Sequence, residues 1–421
     1  MPRGIETLTC LEVLESYVVR NRGTFSRSGG DSGIIELANL NSLQVLKIFN
    51  LEFVRGGIDA ERAKLKDKLN LHRLHLNWGF IFVDDDEMTF DEVLEGLEPN
   101  PFLRNLEIYN FPGIKLPKWM GSNCLSNLVE ISLSCGNRCE KLPAMGMFPC
   151  LRVLHIQQMK SVKCLGEGFY YQQEEKEEGR VISSSNGSGS AVNANTVSLF
   201  PSLIVLEIWQ MENLEEWVAR LLIYNSFPSM EKLEIEYCPK LRSIAISFPF
   251  LKELILKDTN TKAVTSMFAT GGLTSLTSID ISYSPELIYI PLGALLRSIT
   301  PNLQKLSIQY CSKFQGFLED DDLNNYNNRK DGDEEAFLYA SEINSNSFSC
   351  PEINSNSNNR SNSLRSLYLD DCPVLTFTSL RDLTISDCYK LKESITYHLK
   401  LSLAFLEVLD VDFSGSEDDS I

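Results

Sequence analysis

Few residues in this chain are of a type and spacing that could do chemistry, and each set can be tested against what that chemistry requires. His72 and His75 form an H-x-x-H, which can offer two imidazoles to a metal. No carboxylate is spaced to complete such a site, and the surrounding phrase LHRLHL assigns His75 an exposed position on a strand. Cys135 and Cys139 make a single C-x-x-x-C without the second pair a zinc site needs, so structural thiols are expected. GEGFYYQ at Gly166 is an isolated glycine pair without the flanking strand and helix of a phosphate-binding turn. No G-x-x-x-x-G-K-[ST], G-x-S-x-G or kinase signature occurs. The expectation is therefore a chain that is not an enzyme, with no catalytic residue, no metal ligand and no cofactor.

One further set leads from chemistry to architecture. Cysteine recurs at Cys238, Cys311, Cys372 and Cys388, in EIEYCPKL, QYCSKF, DDCPVL and SDCYKL, each eight residues after the start of an L-x-x-L-x-L phrase. One thiol per copy with no histidine beside it argues against metal binding. A small, half-polar side chain at a fixed place can instead turn inward and bond backbone groups left open by a turn. The phrase itself, with Ile, Val or Met allowed, starts at 43, 71, 103, 128, 151, 203, 230, 251, 276, 303, 364, 380 and 406. A weaker copy opens the chain, with Leu8, Leu11 and Leu14 in competing frames. Its apolar-polar alternation has the period of a strand with one buried face, and most intervals fit the roughly 20 to 29 residues of a leucine-rich repeat.

The expected fold is an α/β solenoid: a leucine-rich-repeat horseshoe with a parallel β-sheet on its concave face and irregular or short helical segments on its convex face. Leu142, Leu214, Leu241, Leu287 and Leu391 should fill the core beneath the returning segments. About thirteen repeats would occupy residues 1–414. Flexible insertions are expected near 170–198 and 318–362, where polar low-complexity runs break the period, with an acidic tail at 415–421.

The net charge of −18 and pI near 4.8 would make duplex nucleic acid and anionic membrane poor partners. Glu6, Glu12 and Glu15 interrupt any secretory apolar run, and no 18-residue apolar stretch suggests a membrane span. Eleven scattered cysteines fit reduced thiols, hence a cytoplasmic or nuclear rather than secreted protein.

What the chain offers is a surface. The third, fifth and seventh positions of each phrase point away from the core. They give Arg73, His75, Asn77; Asn105, Glu107, Tyr109; Glu130, Ser132, Ser134; Val153, His155, Gln157; Val205, Glu207, Trp209; Lys232, Glu234, Glu236; and Ser366, Tyr368, Asp370. Phe49, Tyr109, Trp209 and Tyr368 are of the types that anchor interfaces.

PRGIETLTCLEVLESYVV resembles the segment that opens the repeat domain of plant intracellular immune receptors, built from a coiled coil, a nucleotide-binding module and C-terminal leucine-rich repeats. ERAKLKDKLNLHRLHLNWG, VLEGLEPNPFLRNLEIYNFPGIKLPKWM, NLVEISLSCGNRCEKLPAMGMFPCLRVLHI, MKSVKCLGEGFY and FPSLIVLEIWQMENLEEW follow in the order usual for its RGA-like members. The resemblance implies a recognition and regulatory domain that binds a pathogen effector or a guarded host protein and restrains the nucleotide-binding module of a full-length receptor. ADP or ATP would belong to that module, whose phosphate loop does not precede Pro2, so neither is expected on this chain. A truncated fragment acting as a structural or regulatory interaction protein is the alternative. A ubiquitin-ligase substrate adaptor would need an F-box-like segment ahead of the repeats, and none is present in the sequence.

Overall fold

A computed structural model of the chain describes residues 4–20, 33–79, 90–121, 123–135, 138–171, 198–218, 226–270, 272–287, 289–291, 305–312, 316–318, 366–370, 382–386 and 408–412. Most of the insertion near 170–198, most of the one near 318–362, the tail at 415–421, and Cys372, Cys388 and Leu391 lie outside the described residues.

The chain divides into two compact units: Met1–Met230 with Tyr237–Lys240, and Glu231–Glu236 with Leu241–Ile421. The first contains β1 (Val13–Val18), β2 (Val45–Phe49), β3 (Arg73–Asn77), β4 (Asn105–Phe111), β5 (Glu130–Cys135), β6 (Val153–Gln157), β7 (Cys164–Leu165), β8 (Val205–Trp209) and β9 (Glu216–Val218). The second begins with β10 (Lys232–Cys238), whose residues up to Glu236 fall in that unit, and continues with β11 (Ser243–Ala245), β12 (Glu253–Thr259) and β13 (Ser278–Ser282). It ends with β14 (Tyr289–Pro291), β15 (Lys305–Gln309), β16 (Gly316–Leu318), β17 (Ser366–Asp370), β18 (Asp382–Ser386) and β19 (Val408–Asp412). In the first unit the main ladder runs β1-β2-β3-β4-β5-β6-β8, and in the second β10-β12-β13-β15-β17-β18-β19. The strand pairs within each of these ladders run parallel.

All thirteen phrases become strands, and each strand begins two residues after the phrase starts. The competing opening frames resolve to Leu11: Leu14 pairs with Leu46, and an irregularity then brings Tyr17 opposite Ile48. The three apolar positions form the core wall. Leu151, Leu154 and Ile156 are buried, as are Leu251, Leu254 and Leu256. Leu142, Leu214, Leu241 and Leu287 are buried behind them, as the pattern predicts. The returning segments are short 3-10 turns and a few helices, α1 (Gly57–Glu61), α2 (Phe90–Gly96), α3 (Glu167–Tyr170) and α4 (Thr261–Thr270).

Three devices lock one repeat to the next. The first is a shared backbone acceptor at strand entry: the amides of Arg104 and Asn105 both donate to the His72 carbonyl, and those of Arg152 and Val153 to the Val129 carbonyl. The second is a set of side-chain bonds just ahead of β5, β8, β10 and β13, in which Asn127 Nδ2 donates to the Pro101 carbonyl, and Ser202, Ser229 and Ser275 Oγ to the carbonyls of Pro149, Pro201 and Pro249. The third is a left-handed residue directly after the phrase's seventh position: Asn50, Asn110, Gln158, Gln210, Tyr237, Asp258, Tyr283 and Tyr310 all have φ between 48 and 62. Such a conformation is uncommon outside glycine. Its recurrence at one register position on asparagine, glutamine, aspartate and tyrosine ties it to the turn more than to one residue type, although Trp78 at the same position does not adopt it.

A candidate recognition face

Strand alternation puts the third, fifth and seventh positions on the side opposite the leucine wall, and strict register lines them up in rows across the sheet. In the fifth-position row His75 pairs with Glu107 and His155 with Glu207 as ladder neighbours. His75 Nδ1 lies 2.9 Å from Glu107 Oε2, and His155 Nδ1 2.7 Å from Glu207 Oε2. In the tautomer carrying the proton on Nδ1, each imidazole donates to the carboxylate of the next strand. In the third-position row Asn105 Nδ2 donates to Glu130 Oε2 at 2.6 Å, again between ladder neighbours. The hydrogen bond from His75 holds the Glu107 carboxyl below the usual glutamate range, with Lys47 and Arg73 adding to the pull.

His75 is more covered than its strand position suggests, its side chain being 14% exposed. The reason lies in the seventh-position row: Phe49 and Tyr109 close over it from either side, with ring centroids 5.2 and 5.0 Å away. Both aromatics are thereby half-buried rather than exposed. Tyr109 also hydrogen-bonds Ser132, and burial pushes its phenol up. Ser132 and Ser134 form a buried floor between β4 and β6 and are not foremost contacts. Asn77, Gln157 and Glu207 stand half-exposed on the same face, Arg73 and Trp209 exposed. Trp209 meets Tyr237 edge-on at 6.3 Å.

The second unit uses its charges differently. Lys232 Nζ contacts Glu234 Oε2 at 2.6 Å, and Lys257 hydrogen-bonds Glu236 and lies 3.8 Å from Glu234. Burial works against ionisation of Glu234, but the ammonium groups of Lys232 and Lys257 outweigh it and hold the carboxyl down. At Asp280, burial wins and pushes the carboxyl up despite Lys257 and Lys305. Tyr368 and Asp370 lie on β17, and their side chains are outside the described residues.

Residues missed by the three-position reading are the left-handed ones. Tyr237, Tyr283 and Tyr310 are 45%, 51% and 44% exposed, and Tyr283 stacks on Tyr310 at 4.6 Å in the second unit. Tyrosine at the eighth position of three phrases was the available signal.

Three of the described thiols are buried, at Cys139, Cys238 and Cys311. Cys139 is buried, donates to the Gly113 carbonyl at 3.4 Å and has its thiol pushed up to about 12 by burial, far from a metal-binding thiolate. Cys238, the last residue of β10, and Cys311, two residues beyond β15, are buried, and Cys311 Sγ donates to the Gln309 carbonyl at 3.3 Å. Among the described residues no group of three or more His, Cys, Asp or Glu is placed to hold a metal ion, and no helix is long and apolar enough to cross a membrane.

Comparison with known proteins agrees with this repeat architecture. The R13L1/DRL21 leucine-rich-repeat family matches residues 34–159. RGA1 of Solanum bulbocastanum is 31% identical over 310 residues, covering 73% of this chain and 27% of RGA1. Disease resistance protein RGA2 of the same species is 33% identical over 235 residues, 56% of this chain and 22% of RGA2. RPP13-like protein 1 of Arabidopsis thaliana is 29% identical over 235 residues, 53% of this chain and 21% of that protein. The chain thus spans about a quarter of the length of these relatives. With thirteen phrases turned into parallel strands and these matches along its length, the chain is a leucine-rich-repeat region of the plant disease resistance protein type.

Proposed function

We propose that the chain is the non-catalytic recognition and regulatory part of an innate immune receptor. In this reading its strand face binds a pathogen effector or a guarded host protein, and in the unbound state it restrains a nucleotide-binding module. An effector that prefers the released arrangement shifts the population away from the restrained one. The protein acts in the cytoplasm, with the nucleus as a second compartment compatible with reduced thiols.

The observation that carries the reading is the division of labour within each strand. The inward leucines are fully buried and build the core wall, while the outward rows hold half-exposed aromatic and charged groups in fixed register. Such aromatics on a rigid sheet suit interface anchors. Joint replacement of Tyr109, Trp209 and Tyr368 by alanine should abolish binding of an identified partner while leaving the circular dichroism spectrum unchanged. Unchanged affinity in that variant overturns the assignment of this face.

A further inference from the structure

The tyrosines at the eighth phrase position meet their neighbours in two ways. In the first unit Tyr237 approaches the Trp209 ring edge-on, at 6.3 Å and 67°. In the second unit Tyr283 and Tyr310 lie face to face, with ring centroids 4.6 Å apart and an interplanar angle of 13°. The backbone sets this pair. β13 and β15 keep unbroken register from Ser278 opposite Lys305 to Ser282 opposite Gln309, and the Tyr283 amide then donates to the Gln309 carbonyl at 3.1 Å. Both tyrosines carry nearly the same left-handed φ, 55° and 54°, so their side chains leave the turn in the same direction. The ring spacing accordingly matches the roughly 4.8 Å between neighbouring strands. Unlike the buried stack of Phe200 on Phe227, this one stands open to solvent.

Two phenols held ring to ring within reach of a dissolved oxidant are arranged for one covalent reaction. A phenol that loses a hydrogen atom becomes a radical whose unpaired electron spreads to the Cε carbons beside the oxygen, and two such radicals couple there. On most surfaces that step waits for two radicals to meet, whereas here the ladder register has already brought the rings together. We propose that Tyr283 and Tyr310 form an oxidative cross-linking site, joined as dityrosine by a haem peroxidase that consumes hydrogen peroxide. Each phenol gives up one electron and one proton, and the peroxide takes two of each and leaves as two waters. A carbon–carbon bond forms between a Cε of Tyr283 and a Cε of Tyr310. The hydrogen on each joined carbon then moves to its own phenolic oxygen, which restores both rings. The link ties the repeat of β13 to that of β15. Like a disulfide, it removes freedom from the unfolded chain, and in a stack whose repeats touch only their neighbours it fastens one joint. This site stands apart from the proposed recognition role.

The test treats the full chain with a haem peroxidase and limiting hydrogen peroxide, at a dilution that disfavours encounters between molecules. The monomer fraction should gain the blue fluorescence of dityrosine. Proteolysis should then release one linked pair of peptides, containing Tyr283 and Tyr310 and lighter by two hydrogens than the two peptides together. The yield of linked product should fall at least about tenfold in Tyr283→Phe and in Tyr310→Phe, which keep the stacked ring but have no phenolic hydrogen to lose, and change less than about twofold in Tyr237→Phe. In the linked chain, hydrogen exchange at the Tyr283 amide should slow while exchange at the Gln158 amide, which bridges two repeats of the first unit, stays as before. The proposal is overturned by a linked pair that excludes either residue, by links found only between molecules, or by fluorescence that survives Tyr283→Phe. Oxygen added to the two rings without coupling, or no reaction at either, overturns it as well.

Discussion

Three residues before each phrase of the first unit from Leu43 to Met230 lies a buried position, Leu40 and Leu125 in two cases, which that unit otherwise fills in two chemically opposite ways. In its middle repeats it is Lys68 and Asn100, both completely buried. Lys68 Nζ donates to the carbonyls of Leu37 at 2.6 Å and Leu40 at 3.3 Å in the preceding repeat. Asn100 Nδ2 donates to the carbonyls of Lys68 and Leu71, and its Oδ1 accepts from the Phe102 amide. Further along, the position is Phe148, Phe200 and Phe227. Phe200 and Phe227 stack at 4.9 Å with an 8° interplanar angle, and Tyr170 and Trp217 close around them, joined by a Trp217 Nε1 to Tyr170 hydroxyl bond of 2.9 Å. Polar capture of carbonyls and aromatic stacking thus do the same job, filling the space behind a turn and fastening it to its neighbour. The first draws on hydrogen bonds made cheap by exact register, the second on buried apolar area.

Their failures should therefore differ in kind. Phe227→Ala should be the most damaging change, costing about 3–5 kcal/mol in denaturant unfolding because the cavity opens on three aromatic neighbours. Leu154→Ala, in the core wall common to both regions, should cost about 2–5 kcal/mol. A far smaller cost for Phe227→Leu, which restores apolar volume without a ring, would show that the stack is not what the position uses. Asn100→Ala should cost about 2–3 kcal/mol, since it leaves buried carbonyls and an amide without partners. Lys68→Met should cost about 1–3 kcal/mol and also change the response to pH. Burial lowers the Lys68 ammonium from 10.5 to about 8, so between those values the unfolded chain keeps a proton the folded chain has released. Stability should therefore rise with pH across that window in the wild type and stay flatter in Lys68→Met, as measured by chemical denaturation at several pH values. The smallest effect belongs to the exposed face. Glu107→Gln should cost less than about 1 kcal/mol, because its side chain is 39% exposed and well screened. The sign is nonetheless fixed: its carboxyl is depressed in the fold, so its contribution is present above the ordinary glutamate value and disappears as pH falls through the lowered one.

The core wall could be read from the chain because burial on one side of a strand leaves a period-two signal, and each leucine phrase carries it alone. Neither polar capture nor the stack leaves such a signal. Lys68 reads as one more surface lysine in KLKDKL until Leu37 and Leu40, some thirty residues earlier, are set beneath it. The same holds on the face. His75 and Glu107 are 32 residues apart and meet only because the interval between their strands keeps register, and the covering of His75 by Phe49 and Tyr109 depends on diagonal neighbours in flanking strands. Local periodicity says which way a side chain points, whereas lateral partners depend on the lengths of the segments between strands. The serine and asparagine donors ahead of the strands could have been found by stacking the phrases, since FPSL and FPSM repeat the same Pro-Ser pair.

The backbone joints after the strands carry one more consequence. The amide of Trp78 donates to the Tyr109 carbonyl, that of Gln158 to Trp209 and that of Tyr283 to Gln309, each one step beyond the main phrase and each across to the next repeat. Hydrogen exchange at such an amide requires two neighbouring repeats to part, not one turn to fray. Deuterium uptake at these positions should accordingly report the coupling between successive repeats, and a partner that clamps several strands at once would slow exchange at every joint it spans, including joints whose side chains it never touches.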